Sequence, residues 1–95
     1  MIRSFANKAT EEIFNNKVSK KFPIDLHKRA LVRLLDIHKA KDINDLIIPP
    51  SNKLEKLKGN RKEKWSIRIN QQYRVCFCWN EETKEATEVE ILDYH

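Results

Sequence analysis

The chain has 95 residues, a formal net charge of +5 and 40% hydrophobic residues. That is enough apolar side chain for one folded domain over residues 1–95 and too little chain for clefts between domains. The basic balance favours a polyanionic partner. No segment approaches the roughly 18 consecutive apolar residues of a membrane span, and the first twenty residues, with Arg3, Lys8, Glu11, Glu12 and Lys17, lack the apolar run of a secretory signal, so a cytoplasmic protein with no membrane partner is expected.

Ile2 to Phe5 reads as a short opening strand. Asn7 is placed to cap a first helix running to about Asn16, because its side-chain oxygen can accept from an early backbone N–H while Glu11 and Glu12 lie near the positive end of the dipole. A basic, polar link from Lys17 to Phe22 leads to Pro23, which suits a first helical turn, with Asp25 close behind. In the second helix Leu26, Ala30, Leu31, Leu34, Leu35 and His38 recur at three- and four-residue spacing and form one apolar stripe. Lys28, Arg29, Arg33, Asp36 and Lys39 turn mostly to solvent. His38, at the end of the stripe, reads as a packed residue favouring the helix C-terminus rather than a catalytic one. Asp42 to Leu46 offers one more helical turn, and Pro49-Pro50 prevents its continuation.

Beyond the prolines the period changes. Lys53 to Leu57 is the weakest strand signal. From Trp65 to Asn70, Trp65, Ile67 and Ile69 alternate with Ser66, Arg68 and Asn70, as on a half-buried strand, and Asn70-Gln71-Gln72 makes a hairpin turn. Tyr73 to Trp79 is apolar or thiol-bearing on both parities from Val75 onward, which suits a central strand covered on both faces. Glu81 to Glu85 is a charged loop, and Thr87 to Tyr94 is the last strand, with Val89 and Ile91 facing one way and Leu92 and Tyr94 the other. Trp65 and Trp79 share the apolar parity of their strands and belong to the core. Helices followed by strands give an α+β fold, an antiparallel sheet with two N-terminal helices packed on it.

Cys76 and Cys78, two apart on one strand face, are about 6.5 to 7 Å apart, too far for easy bridging, and read as buried free thiols. His27, His38 and His95 are scattered without ligand spacing, so neither a metal nor a cofactor is expected. Charge is concentrated instead between Asn52 and Arg74, where eight basic residues face two acids, a local +6 that exceeds the net charge of the whole chain. The stretch includes the only glycine, Gly59, and projects its basic groups from strands and a tight turn onto one surface.

The order LxxLKGxR from Leu54 to Arg61, WSIRIN from Trp65 to Asn70, YRVCF from Tyr73 to Phe77 and a final DYH resembles the HigB toxins of the RelE superfamily, in particular the killer-protein branch, whose members also open close to MIRSF. The resemblance covers nearly the whole chain, including Pro49-Pro50. It implies a RelE-like antiparallel (mixed) sheet with two N-terminal helices packed on it. It implies further a toxin of a type II toxin–antitoxin system, a ribosome-dependent endoribonuclease that cuts mRNA in the decoding site without a metal. Attack by the ribose 2′-hydroxyl would leave a 2′,3′-cyclic phosphate and a 5′-hydroxyl. Its implied partner is a HigA-like helix-turn-helix antitoxin, with DNA reached only through the antitoxin complex.

By the same resemblance Arg74 matches the central-strand arginine on the scissile phosphate, a task for which a planar, permanently charged fork is suited. Lys58 matches a second cation that stabilises charge growing in the transition state. Tyr94 matches a terminal tyrosine that stacks on a base or hydrogen-bonds the reacting groups, and His95 the final histidine, able to carry a proton near neutrality. Glu55 departs from those HigB toxins that have histidine there, although the branch resembled tends to carry an acid. His95 is therefore the first choice of base and Glu55 the second. Lys56, Arg61, Lys62, Lys64 and Arg68 read as RNA-backbone contacts. Structural alternatives stand beside these roles: Arg68 and Arg74 as sheet-surface partners of Glu88 or Glu90, Lys58 as a solvated turn residue, Tyr94-His95 as a frayed tail. If Glu55 marks lost catalysis, the alternative is a non-catalytic module of the same fold that binds RNA or the ribosome.

Overall fold

A computed structural model of the chain describes residues 1–58 and 63–94. The turn expected at Gly59 lies outside the described residues, as do Arg61, Lys62 and His95. The first helix, α1 (Lys8–Phe14), begins where Asn7 Oδ1 accepts from the Thr10 N–H at 2.9 Å. It ends two residues short of the expected Asn16, which has turned into the left-handed region at φ 59°, a conformation asparagine tolerates better than most residues. The second helix, α2 (Ile24–Lys39), buries Leu26, Ala30, Leu34 and Ile37. Ile37 thus occupies the innermost line, while Leu35 and His38, both expected on the stripe, are only half-buried on its margin. His38 has the structural task expected of it: its Nδ1 accepts from the Ile2 N–H at 3.1 Å, and its ring lies 5.3 Å from that of Phe14.

Two 3₁₀ turns, Ile43–Ile47 and Pro50–Asn52, carry the chain from α2 to the sheet. The first is capped reciprocally by Asp42 and Asp45. Asn52, fully buried, ties the connection together by donating from Nδ2 to the carbonyls of Leu46 (3.1 Å) and Ile48 (3.4 Å). Four strands follow, β1 (Glu55–Leu57), β2 (Lys64–Arg68), β3 (Tyr73–Asn80) and β4 (Glu85–Asp93), all antiparallel in the order β1-β2-β3-β4. The weakly signalled first strand is shorter than the expected Lys53 to Leu57, because Lys53 itself turns left-handed at φ 48°. Ile2 and Phe5 form parallel bridges to Ala86 and Val89, with the Arg3 N–H donating to the Ala86 carbonyl at 2.7 Å and the Ala6 N–H to that of Val89 at 2.9 Å. The opening segment therefore covers the outer edge of β4, which otherwise would present unpaired backbone.

Strand parity sorts the side chains. Ile67, Val75 and Ile91 are aligned across three strands and, with Phe77, Trp79 and Val89, meet α2 in the core. The opposite face carries Ser66, Cys76 and Glu90 in one row and Arg68, Arg74 and Leu92 in the next. Near Glu88, at φ 52°, the β3–β4 register shifts between Cys76 and Cys78. The extra residue of this bulge returns Ala86 to the core face while Leu92 and the following Tyr94 stay with Arg74. Trp79 is buried as expected, whereas Trp65 only borders the core.

The cost of emptying this core sets a first prediction. Leu34→Ala, at a site with no exposure, should cost about 2–5 kcal/mol of unfolding free energy, and Asn7→Ala about 1 kcal/mol through the lost cap. Urea denaturation measures both, and an unchanged midpoint for Leu34→Ala would contradict the packing described.

Candidate active site

The sheet face turned away from the helices is organised around Arg74. An arginine on a central strand has three polar edges to satisfy once it lies against the sheet, and the neighbouring strand supplies them. Nε donates to Ser66 Oγ at 2.9 Å, and Nη2 donates to the carbonyls of Lys53 (2.6 Å) and Ser66 (3.3 Å). Ser66 is fully buried in that position. The left-handed turn at Lys53 is what aims its carbonyl inward rather than along β1. Only 13% of the Arg74 side chain remains exposed, and Nη1 has no hydrogen-bond partner among the described residues.

Two further groups reach the same guanidinium. Glu55 Oε1 stands 3.8 Å from Nη2, on a side chain that is 59% exposed. Such a pair is screened by water and stabilises little. The Tyr94 ring lies 5.6 Å from the Arg74 Cζ, within cation–π range, and the Tyr94 N–H donates to the Gln72 carbonyl at 2.6 Å. Tyr94 is thereby pinned beside the hairpin. Asp93 adds to that closure by accepting from Gln72 Nε2 at 3.0 Å.

Of the residues singled out from the sequence, Arg74, Glu55 and Tyr94 are brought together. Lys58, exposed just past the end of β1, makes no hydrogen bond or ion pair among the described residues. Lys64 shares the Arg74 face, opposite Cys78. Lys56 does not: strand alternation sends it to the other side, where its Nζ sits 5.6 Å over the Trp65 ring and 3.6 Å from Glu63. Arg68 lies directly opposite Arg74 but bends toward the hairpin, its Nε donating to the Asn70 carbonyl at 3.1 Å. The solvated face expected for Arg33 is corrected, since Arg33 is 19% exposed and donates from Nε to the Arg68 carbonyl at 3.2 Å. Ser66 went unrecognised. The available signal was a small hydroxyl on the parity of Arg68, where a surface strand would carry a longer side chain.

Cys76 and Cys78 form no disulfide and are buried on this same face, not in the apolar core. Burial pushes the Cys76 thiol up, and the positive charges of Arg74 and Lys64 only partly offset it. The thiol therefore stays protonated near neutrality and is a poor nucleophile. Among the described residues no group of three or more His, Cys, Asp or Glu side chains is placed to hold a metal ion, and no helix is long and apolar enough to cross a membrane.

Compared with known proteins, the chain matches over residues 3–95 the family described as a RelE-like toxin of the type II toxin–antitoxin system HigB. It is 38% identical over 80 residues to Toxin HigB-1 of Vibrio cholerae serotype O1, an alignment covering 83% of this chain and 84% of that one. It is 41% identical over 76 residues to an uncharacterized protein of Haemophilus influenzae, covering 79% and 71% respectively.

Two outcomes follow from the packing around Arg74. Ser66→Ala removes the acceptor of Nε and should lower stability by about 1–3 kcal/mol, the cost of an unsatisfied buried donor, read as a shift of the denaturation midpoint. In the folded protein both thiols should react with a maleimide or disulfide reagent far more slowly than after denaturation. Equal rates in the two states would mean that this face is open.

Proposed function

This chain belongs to the HigB family of RelE-like toxins of type II toxin–antitoxin systems, and we propose that it is an endoribonuclease that cuts mRNA in the decoding site of the ribosome and is neutralised by a HigA-like helix-turn-helix antitoxin. The observation that carries the reading is the guanidinium of Arg74, held on three hydrogen bonds to β2 and the Lys53 turn with Glu55 and Tyr94 against it. A cation fixed in this way can receive a phosphate without first losing side-chain freedom, and the loosely paired, exposed Glu55 is readily displaced from it.

The reaction is an internal transfer at phosphorus. The ribose 2′-oxygen loses its proton to a base and bonds to the adjacent phosphorus, the bond to the 5′-oxygen breaks, and that oxygen takes up a proton. The ends are a 2′,3′-cyclic phosphate and a 5′-hydroxyl, with no water consumed. Arg74 opposes the charge that grows on the non-bridging oxygens, where a preorganised donor is worth most. Lys58, exposed just past the end of β1, is assigned the role of second cation. Tyr94 offers a ring for a base to stack on. His95, next in the chain, is assigned the proton transfer, and Glu55 is the second candidate for the base because its carboxylate lies beside the group that would hold the phosphate. Lys64 and Arg68, with Arg61 and Lys62 from the same basic stretch, contact RNA backbone. Lys56 contacts RNA backbone from the other face.

Arg74→Ala should lower cleavage by about 10²- to 10³-fold, the usual loss of one transition-state donor, and Arg74→Lys should restore only part of it because an ammonium lacks the fork. Deleting Tyr94 and His95 should greatly reduce cleavage, with a stability loss limited to Tyr94's partly exposed packing. The assay maps 5′ ends on a defined message with and without ribosomes and identifies the terminal phosphate. Stalled ribosomes on intact message would replace the enzyme by a binding module of the same fold.

A further inference from the structure

The second basic feature of the molecule lies around the edge of the sheet from Arg74. A cleft of roughly 560 Å³ opens between α2, the second 3₁₀ turn and the β2–β3 hairpin, lined by Arg29, Arg33, Arg68, Ser51 and the hairpin residues Asn70 to Gln72, with Ile69 as its apolar contribution. Three guanidiniums converge there. Among the described residues one carboxylate pairs with them, Asp36, which accepts from Arg33 Nη1 at 3.3 Å. Arg33 and Arg68 are held in place through their Nε atoms, on the carbonyls of Arg68 and Asn70. Arg29 is exposed and has no hydrogen bond or ion pair among the described residues.

Like charges gathered at one opening repel, and nothing in the packing requires Arg29 to be among them. An anion in the cleft would relieve that repulsion. The lining suits phosphodiester oxygens: three arginines, two of them held through Nε, and a serine hydroxyl, with little apolar floor for the side chains of a protein segment. Continuity points the same way. Arg68 sits directly opposite Arg74 in the sheet, so their Cα atoms are about 5 Å apart. Ser51 lines the cleft two residues before the Lys53 carbonyl that anchors Arg74.

The geometry points to a second phosphodiester-binding site in the Arg29–Arg33–Arg68 cleft, continuous with the Arg74 site, through which the protein grips an RNA backbone beyond the position of the reacting phosphate. This rests on the reading of the Arg74 face as an RNA site. The backbone can belong to the message or to ribosomal RNA, since both present the same oxygens.

The test uses the full chain and uncleavable 2′-O-methyl oligouridylates, one of two or three nucleotides that fills only the Arg74 site and one about four times longer. Fluorescence anisotropy is read over a range of salt concentrations. Arg29→Glu should weaken the long probe by about fivefold or more and lower its salt slope by at least the roughly 0.7 expected per lost phosphate contact, while the short probe binds as before. Arg68→Ala should weaken the long probe in the same direction. Lys8→Glu, an equal charge change at the exposed start of α1, is the control. Equal losses for Arg29→Glu and Lys8→Glu would overturn the site, leaving only net charge. A loss of ribosome binding by Arg29→Glu that exceeds its loss on the long probe identifies ribosomal RNA as the source. If Arg29→Glu loses affinity for polyglutamate but not for either RNA or ribosomes, the cleft takes an acidic protein segment and the proposal fails. Cleavage of a message by the unaltered protein is scored separately. Absent cleavage with the probe-length difference intact would reject the nuclease and keep the cleft, and the reverse pattern would do the opposite.

Discussion

Everything in this molecule hangs on β3 being buried on both faces. Val75 and Phe77 have no exposure on the helix side, and Cys76 and Cys78 retain 3% and 7% on the other. Paired to β2 along one edge and β4 along the other, the strand cannot slide by one residue without sending thiols into the core and aromatic rings onto the face that carries Arg74. That constraint fixes where Arg74 emerges. The bulge at Glu88 lets β4 satisfy the same alternation despite an extra residue, so that Ala86, Val89 and Ile91 all remain inside.

A face that is covered rather than wet changes what an arginine can be there. Arg74 lies down on Ser66, and the fully buried hydroxyl and the Lys53 carbonyl take up two edges of its fork. Among the described residues its charge is paired with Glu55 alone, at 3.8 Å and largely in solvent. The consequence is a cation whose position is set before any ligand arrives but whose charge is barely used by the fold. This combination is what the proposed phosphoryl transfer needs, since preorganised charge costs no rearrangement during reaction. The neighbouring Cys76 thiol, kept protonated by burial, contributes volume rather than chemistry.

The helices do more than cap the sheet. While α2 packs Leu26, Ala30, Leu34 and Ile37 inward, Arg33 on its flank reaches the end of β2 and Arg29 overlooks the hairpin. Its C-terminal end receives the opening segment through His38, which in turn covers the edge of β4. One helix thereby connects the protected edge of the sheet to the basic one.

Much of this was legible in the chain itself. Three-four spacing from Leu26 onward, the Asn7 cap and the two-sided apolar run from Val75 to Trp79 determined an α+β fold with a central β3, because periodicity records burial directly. The motif order from Leu54 to the final DYH identified the family to which the chain belongs. Arg74, Glu55 and Tyr94 were all named from it, yet nothing local to those residues states that they meet, for they are supplied by three strands or strand ends whose alignment is a tertiary fact. Lys56 shows the limit most clearly: beside Glu55 in sequence, it lies on the opposite face once β1 pairs with β2. Arg33 looked solvated because a helical wheel shows which side of a helix is apolar but not what passes over its flank. Only the folded hairpin placed the Arg68 carbonyl there. Composition and period are properties of the chain, and they determined the layers. Which charges face one another depends on register and on a left-handed turn at Lys53, and those the tertiary structure alone decided.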